Sequence, residues 1–181
     1  VDLTRRIEGR PVLAKALFSC NNVPCPHHGR YARIDREVLD QEVSRRLGKN
    51  SLAGAVLLIG TQTLEQSLDI DSDWLITDLC PIDVLLQRIG RLHRHDRGPR
   101  PGPVCTVLLP EVDDLSGYIR PDGQVGFGVP AGLGLVYEDL RILQLTRDLI
   151  VGAPVFDLPR HNRRLVEAAT HPDRLALLTG E

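Results

Sequence analysis

Residues 87–94 read QRIGRLHR, and they are the most informative stretch of this chain. On an α-helix, Gln87, Arg91 and Arg94 would fall within roughly 60° of one another. The opposite side would carry the apolar residues Ile82, Leu85, Ile89 and Leu92. The pattern therefore predicts a helix that packs on a sheet and presents a polar face. Two guanidiniums three residues apart suit a polyanion such as a nucleoside triphosphate, although an arbitrary basic pair is more often a solvated helix end.

Three apolar runs around this helix predict strands. Residues 55–59 are continuously apolar, as in a strand covered on both faces. Residues 74–79 precede the arginine-bearing helix, and residues 104–109 follow it. Further helices are predicted over residues 11–19, 35–47, 137–150 and 163–169. The second has Leu39, Val43 and Leu47 at four-residue spacing, which predicts its inward face, and Gly48 is expected to end it. Strands that alternate with helices predict an α/β fold with a parallel sheet flanked by helices.

The C-terminal part has a different character. Residues 111–134 are rich in Gly, Pro and Asp, which is typical of a long loop or linker. The two predicted helices beyond it form a mostly helical extension. We therefore predict an N-terminal segment (residues 1–22), an α/β domain (residues 23–110) and a linker with a helical extension (residues 111–181).

Composition excludes several classes of protein. The formal net charge is −2, so any polyanion site must be a local patch rather than a property of the whole surface. No apolar run approaches the roughly 20 residues of a membrane span, and we expect no membrane partner. The chain has no methionine and starts at Val1, which predicts a piece of a longer polypeptide or a processed product.

Two candidate metal sites are weak. Cys20, Cys25, His27 and His28 are too close in sequence, with prolines between them, to match the usual spacing of zinc ligands. The alternating aspartates of residues 69–73 resemble a calcium loop, but the next residue is a tryptophan where that loop needs glycine. We expect no metal ligands in this chain.

Three segments occur in an order that carries a family resemblance. They are residues 28–31 (HGRY) followed by Asp35 and Arg36, residues 60–71 (GTQTLEQSLDID) and residues 87–94 (QRIGRLHR). Together they resemble the second RecA-like domain of superfamily 2 helicases. The sequences of these segments are similar to those of the helicase–nuclease of type I CRISPR systems. Residues 134–139 (GLVYED) and 164–167 (RLVE) resemble the region that follows the helicase core in that family. The fold implied is a RecA-like parallel sheet with a helical and loop extension.

The resemblance implies catalytic roles for three residues. Arg91 and Arg94 would act as arginine fingers on the γ-phosphate of ATP held by a preceding domain, where they neutralise developing charge. Gln87 would lie near the same phosphate or the attacking water. Asp69 would face the ribose, and Arg88 would contact ATP or else pair with a carboxylate that positions the helix.

The resemblance also implies contacts to single-stranded DNA. Thr61, Gln62, Gly29 and Arg30 would bind its phosphate backbone without reading sequence. The chain has neither a Gly-x-x-x-x-Gly-Lys-Ser/Thr loop nor an Asp-Glu-x-His/Asp signature, so the phosphate cradle and the Mg²⁺ ligands are expected on a first helicase domain. There is also no histidine–aspartate nuclease constellation.

The function implied is that of the second motor domain of an ATP-dependent single-stranded DNA helicase or translocase in CRISPR antiviral defence. Alone, it is expected to hydrolyse hardly any ATP. The expected partners are single-stranded DNA, a first helicase domain in the same or another polypeptide, and a CRISPR surveillance complex in a prokaryotic cytoplasm. Two alternatives stay open: an inactive nucleic-acid or protein-interaction module on the same scaffold, and a superfamily 2 helicase outside CRISPR.

Overall fold

The computed structural model describes residues 2–52, 54–65, 68–126, 136–152 and 155–178. The chain forms two compact units, each built from two stretches of sequence. Unit 1 contains the described residues of 1–73 and 90–103, and unit 2 contains those of 74–89 and 104–181. These bounds differ from the predicted layout, which stays a prediction. None of the helices within the described ranges is long and apolar enough to span a membrane.

Unit 1 is mainly helical, with a short hairpin. Its elements are α1 (Asp2–Glu8), α2 (Pro11–Ala16), β1 (Ser19–Cys20), β2 (Val23–Pro24), α3 (Arg33–Leu47) and a 3₁₀ turn (Gln62–Glu65). The helix predicted over residues 11–19 ends early, because the backbone at Leu17 pairs in parallel with Leu57. The hairpin turn is Asn21–Asn22, and both residues have positive φ (52° and 62°). Asparagine tolerates this conformation, which two-residue hairpin turns require.

The core of unit 1 forms around α3. Leu39 and Val43, predicted to face inward from their four-residue spacing, are 5% and 0% exposed, which confirms the apolar face of that helix. They pack with Phe18, Leu68 and Ile70. Gly48 is the residue at which the helix ends, as predicted. Only glycine fits there, because a Cβ would lie 2.3 Å from the carbonyl oxygen of Ser44.

The strand predicted over residues 55–59 is present only as isolated parallel bridges. Leu57 pairs with Leu17, and Gly60 pairs with His27. The partner segment leaves after the first bridge to form the β1–β2 hairpin and returns for the second. The paired stretch is therefore interrupted on its partner's side, which sequence periodicity could not indicate.

Unit 2 contains a parallel strand pair with helices. Its elements are β3 (Trp74–Asp78), α4 (Ile82–Ile89), β4 (Val104–Leu108), a 3₁₀ turn (Ser116–Tyr118), α5 (Leu140–Gly152), α6 (Asn162–Thr170) and α7 (Pro172–Ala176). The two strands pair in register from Trp74↔Val104 to Asp78↔Leu108. These strands, α5 and α6 confirm the predicted elements to within a few residues. Residues 127–134 of the predicted linker, together with Gly134 and Leu135 of the GLVYED segment, lie outside the described residues.

The core of unit 2 lies between α4, α5 and α6. Its buried members are Cys80, Ile82, Leu85, Leu145, Leu165 and Ala169. Ile82 and Leu85 were predicted to face inward, and both are confirmed. Beside this core, buried Gln144 accepts a hydrogen bond from the backbone N–H of Leu115 (2.7 Å) and donates to Asp148 Oδ1 (2.8 Å). The start of the predicted linker is thereby bound to α5.

The prediction of one helix carrying Gln87, Arg91 and Arg94 is wrong. Helix α4 ends at Ile89. A helix that continued would bond the His93 N–H to the carbonyl of Ile89, but this N–H donates to the carbonyl of Ser72 (3.0 Å). His93 also has φ of 47°, outside the helical region. Long-range backbone pairing therefore draws the arginines into unit 1.

Replacing Leu85 by alanine should lower the free energy of unfolding of the purified protein by about 2–5 kcal/mol, because it leaves a cavity at a site that is 1% exposed. Denaturant melts measure the change. Ile76→Ala is the control: Ile76 is 57% exposed, so its change should stay within about 1 kcal/mol. Equal losses in both variants would contradict the proposed core.

Candidate functional site

A buried carboxylate organises the end of unit 1. The side chain of Asp71 has no exposed surface. Arg97 Nε lies 2.6 Å from its Oδ2, and Arg100 Nη2 lies 3.2 Å from its Oδ1. The backbone N–H of Arg94 donates to Oδ1 at 2.9 Å. One carboxylate therefore holds three positions of the segment that follows α4.

The protonation of Asp71 reflects two opposed effects. Burial by itself raises the pKa of a carboxyl group. The hydrogen bond and charge of Arg100, the charge of Arg97 and the N–H of Arg94 outweigh it, and the pKa of Asp71 lies below its ordinary value. The carboxylate is therefore ionised and fully paired at neutral pH.

Asp69 lies at the more exposed edge of this cluster. Arg94 Nε lies 2.7 Å from its Oδ1, and His95 Nε2 lies 2.9 Å from its Oδ2. The side chains of Asp69 and Arg94 are 49% and 43% exposed. Asp69, predicted to face a ribose, is thus the partner of Arg94, predicted to be a finger.

The third alternating aspartate is also bound to basic side chains. Asp73 accepts from Arg100 Nη1 at 3.0 Å, and His93 Nε2 lies 3.4 Å away. Acids that already face cationic groups are poor calcium ligands. Within the described ranges, no group of three His, Cys, Asp or Glu side chains is placed to hold a metal ion.

Arg91 lies at a polar position with incomplete pairing. Its Nη2 donates to the carbonyl oxygen of Glu65 at 2.7 Å, whereas its buried Nε has no hydrogen-bond partner among the described residues. Burial, followed by repulsion from Arg94, lowers the pKa of the Arg91 guanidinium, and Asp69 offsets this only in part. An anion placed here would relieve both the desolvation and the repulsion.

The four residues predicted to contact DNA lie on two neighbouring segments. The parallel bridge at His27 and Gly60, and the 3.0 Å bond from the Thr61 N–H to the His27 carbonyl, bring residues 27–30 beside residues 60–63. The side chains of Arg30, Thr61 and Gln62 are exposed, and Gly29 is exposed next to them. We call this exposed surface, formed by residues 29, 30, 61 and 62, the loop surface.

Beneath the loop surface is a polar group that was not predicted. His27 is 1% exposed. Its Nε2 lies 2.5 Å from Asp40 Oδ1, and its Nδ1 lies 2.8 Å from Thr63 Oγ1. Both ring nitrogens are therefore occupied, which argues against a zinc site at the neighbouring cysteines and histidines.

Comparison with known proteins shows which family this chain belongs to. Residues 7–97, about half of the chain, match the family model described as "CRISPR-associated nuclease/helicase Cas3, C-terminal". The chain belongs to this Cas3 family. The CRISPR-associated endonuclease/helicase Cas3 of Escherichia coli is 48% identical over 128 residues, which is 68% of this chain and 13% of that protein. The Thermus thermophilus relative is 40% identical over 125 residues, which is 67% of this chain and 12% of that protein.

Solved Cas3 structures support the same assignment of fold. The crystal structure of T. fusca Cas3 matches with a TM-score of 0.67 and 29% identity over 96% of this chain and 19% of that one. The same protein with AMPPNP matches with a TM-score of 0.67 and 30% identity, over 96% of this chain and 19% of that one. A chain of a CRISPR RNA-guided surveillance complex in a pre-nicking state gives 0.62 and 28%, over 84% of this chain and 19% of that one. The fold is the RecA-like helicase fold, and the chain spans less than a fifth of these relatives.

The predicted site residues divide between the two units. Asp69, Arg91 and Arg94 belong to unit 1, as does the loop surface, whereas Gln87 and Arg88 lie on α4 in unit 2. Gln87 is exposed. Arg88 donates to Thr77 Oγ1 and, at 3.1 Å, to the hydroxyl of Tyr137. These contacts attach the end of α4 to its own unit.

Sequence reasoning missed several polar residues that hold the site of this Cas3-family chain together. Asp71 was considered only as one of the alternating aspartates of residues 69–73, and Arg97 and Arg100 were not singled out. The available signal was the spacing: alternating aspartates, followed by arginines three residues apart at positions 94, 97 and 100. Asp40 gave no signal, because an acid in the middle of a helix usually faces solvent.

Replacing Asp71 by asparagine should destabilise the purified protein by about 1–3 kcal/mol, since it removes a buried hydrogen-bonded charge. The loss is limited because the side chains of Arg97 and Arg100 are 26% and 16% exposed and can still reach water. Denaturant melts at pH 7 measure this. Glu167→Gln is the control, because Glu167 pairs with Arg163 on an exposed helix face and should change stability by less than about 1 kcal/mol.

The same variant should alter the acid dependence of stability. The pKa of Asp71 is lower in the folded chain than the roughly 3.9 of an unfolded aspartate. Its contribution is therefore present above about pH 4 and is lost as the pH falls through the folded-state value. Below about pH 4, the unfolding free energy of Asp71→Asn should vary less steeply with pH. Parallel slopes for the two proteins would rule out this role.

Proposed function

We propose that this chain is the second motor domain of an ATP-dependent single-stranded DNA helicase of CRISPR antiviral defence. One observation carries the proposal beyond family membership. The 3₁₀ turn Gln62–Glu65 has the loop surface at its start, and at its end the carbonyl oxygen of Glu65 accepts from Arg91. A single short turn thus connects the proposed DNA contacts to the proposed ATP contact.

The unit 1 cluster fits a triphosphate held by a preceding domain. Arg91 offers a buried Nε without a partner among the described residues, and its guanidinium stands beside that of Arg94. We propose that Arg91 and Arg94 stabilise charge on the transferring phosphoryl group. Arg94 would have to exchange its pairing with Asp69 for one with phosphate, and Asp69 would then accept from the ribose hydroxyls.

For Gln87 and Arg88 on α4 we also propose roles in ATP hydrolysis, as the family resemblance implies. Gln87 would contact the γ-phosphate or the attacking water. The contacts of Arg88 with Thr77 and Tyr137 favour a role in holding the end of α4 over a direct contact with ATP. The Mg²⁺ ligands would lie on the first domain, where this ion would neutralise phosphate charge.

The proposed partners follow from the relatives. Solved T. fusca Cas3 structures contain ADP, AMPPNP or ATP, and one similar chain is part of an RNA-guided surveillance complex. We propose that the parent protein works with such a complex in a prokaryotic cytoplasm and acts on single-stranded DNA. Residues 23–110 would form the motor domain, and residues 111–181 a linker and extension.

The alternative from a different class is an inactive interaction module on the same scaffold. The discriminating observation is a partner domain with a phosphate-binding loop, in the same polypeptide or in trans. The incomplete pairing of Arg91 favours the motor, because a purely structural arginine gains nothing from an unsatisfied buried Nε. Membership in the Cas3 family removes the support for a helicase outside CRISPR.

In the enzyme assembled with its first helicase domain, Arg91→Ala should lower ATP turnover by about 10³-fold or more, because it removes charge stabilisation in the transition state. Affinity for single-stranded DNA should change little. Steady-state ATP hydrolysis and DNA titration measure the two effects. Arg163→Ala, at a site that is 91% exposed and paired with Glu167, should leave both unchanged. A decrease of less than about tenfold in Arg91→Ala would remove the finger assignment.

The chain alone should bind single-stranded DNA weakly and with a steep salt dependence, since contacts to phosphate dominate the binding free energy. Fluorescence titrations between about 50 and 200 mM salt would show log affinity falling linearly with log salt concentration. Tight binding that persists at high salt would indicate a different mode of recognition.

A further inference from the structure

The buried imidazole of His27 connects helix α3 to the 3₁₀ turn Gln62–Glu65. It lies between the carboxylate of Asp40 on α3 and the hydroxyl of Thr63 in the 3₁₀ turn, at 2.5 and 2.8 Å. A ring that is 1% exposed cannot exchange these partners for bulk water. Each bond is therefore costly to lose, because a buried polar group left without a partner is destabilising.

The carboxylate determines which ring nitrogen carries the proton. An ionised carboxylate only accepts hydrogen bonds, so Nε2 of His27 donates to Asp40. In the neutral ring, Nδ1 then accepts the hydroxyl proton of Thr63 at 2.8 Å, in preference to the His27 carbonyl oxygen, which lies 3.4 Å from the same hydroxyl. The side chains of Asp40, His27 and Thr63 form a directed chain of two hydrogen bonds, which we call the relay.

The backbone around the relay carries the loop surface. The His27 N–H donates to the carbonyl of Ile59 (2.8 Å), and its carbonyl accepts the N–H of Thr61 (3.0 Å). Thr63 Oγ1 also lies 3.4 Å from Thr61 Oγ1. These bonds place the Thr61 hydroxyl and the amides of the turn relative to α3.

We propose that Asp40 and His27 are positioning residues for DNA: through Thr63, they hold residues 60–63 in the conformation that accepts phosphates. This inference rests on the proposed function. The proposal predicts that Asp40 strengthens DNA binding, whereas its negative charge alone would weaken it. Removing an acid near a phosphate path should strengthen DNA binding by reducing repulsion, whereas breaking the relay should weaken it.

The decisive experiment compares Asp40→Leu with Asp40→Asn in the enzyme assembled with its first helicase domain. Asparagine loses the charge but keeps an oxygen that can accept from His27 Nε2, whereas leucine loses both. The readout is the single-stranded DNA concentration that gives half-maximal ATP hydrolysis. We expect it to rise on the order of tenfold in Asp40→Leu, the equivalent of one hydrogen bond, and to rise less than about threefold in Asp40→Asn.

Two further substitutions control for charge and for the hydroxyl. Glu37→Leu removes an acid one turn earlier on α3, where Glu37 pairs with Arg33 in the exposed part of the helix, and it should not raise the DNA constant. Thr63→Val keeps the shape of the side chain but removes the hydroxyl, so it should raise the constant as Asp40→Leu does. ATP turnover at saturating DNA should stay within about twofold in Glu37→Leu, because Glu37 lies outside the relay, the loop surface and the proposed ATP contacts.

The four variants separate the relay from the motor. Weaker DNA binding in Asp40→Leu and Thr63→Val, with near-normal binding in Asp40→Asn, supports the relay. An unchanged or stronger interaction in Asp40→Leu overturns it while leaving the motor proposal in place. Equal weakening in the leucine and asparagine variants also overturns it, since the effect would then not depend on an oxygen that accepts from His27 Nε2. A parent enzyme without any DNA-stimulated ATP hydrolysis would remove the proposed function itself.

Discussion

The structure of unit 1 depends on compensating one buried negative charge. Asp71 loses its hydration completely on folding, and the cost of removing a carboxylate from water is several kcal/mol. Two guanidiniums and a backbone amide offset this cost. Because these partners all belong to residues 94–100, compensation is possible only in one arrangement of that segment. The same requirement fixes the backbone positions from which the side chains of Arg91 and Arg94 extend.

Around this fixed segment, the more exposed groups remain able to exchange partners. Asp69 and Arg94 are each about half exposed, and an ion pair in that setting contributes little net stability. Asp71 is the opposite case, because its side chain is not exposed and water cannot replace the arginines if its ion pairs break. The cluster therefore combines a rigid buried anchor with an ion pair that a competing anion can break at low cost.

Much of the fold follows from local pattern, and the exceptions have identifiable causes. The spacing of Leu39 and Val43 predicts α3, and Gly48 predicts its end, because both signals act within a few residues. The end of α4 was mispredicted because the backbone of Ser72 forms hydrogen bonds with Arg91 and His93 in the following segment. No local periodicity encodes a partner so far away in sequence. The interruption of the predicted 55–59 strand by the β1–β2 hairpin has the same origin.

The candidate site shows the same division. The resemblance of residues 60–71 and 87–94 to a helicase family singled out the exposed loop and the basic segment. It could not identify the side chains beneath them. His27 was predicted only as part of a weak zinc pattern, and its bonds to Asp40 and Thr63 depend on how α3 packs. Buried polar partners are set by tertiary geometry, so they follow from coordinates and not from composition.

The interleaved course of the chain through the two units has a consequence for synthesis on the ribosome. Residues 90–103 of unit 1 are translated after α4, which belongs to unit 2. Until Arg97 and Arg100 have left the exit tunnel, Asp71 has no cationic partner from that segment and must stay in contact with water. A nascent chain that ended between the two stretches would hold the acidic half of the cluster without its basic half. Unit 1 therefore cannot complete its buried ion pairs before α4 of unit 2 has been synthesised.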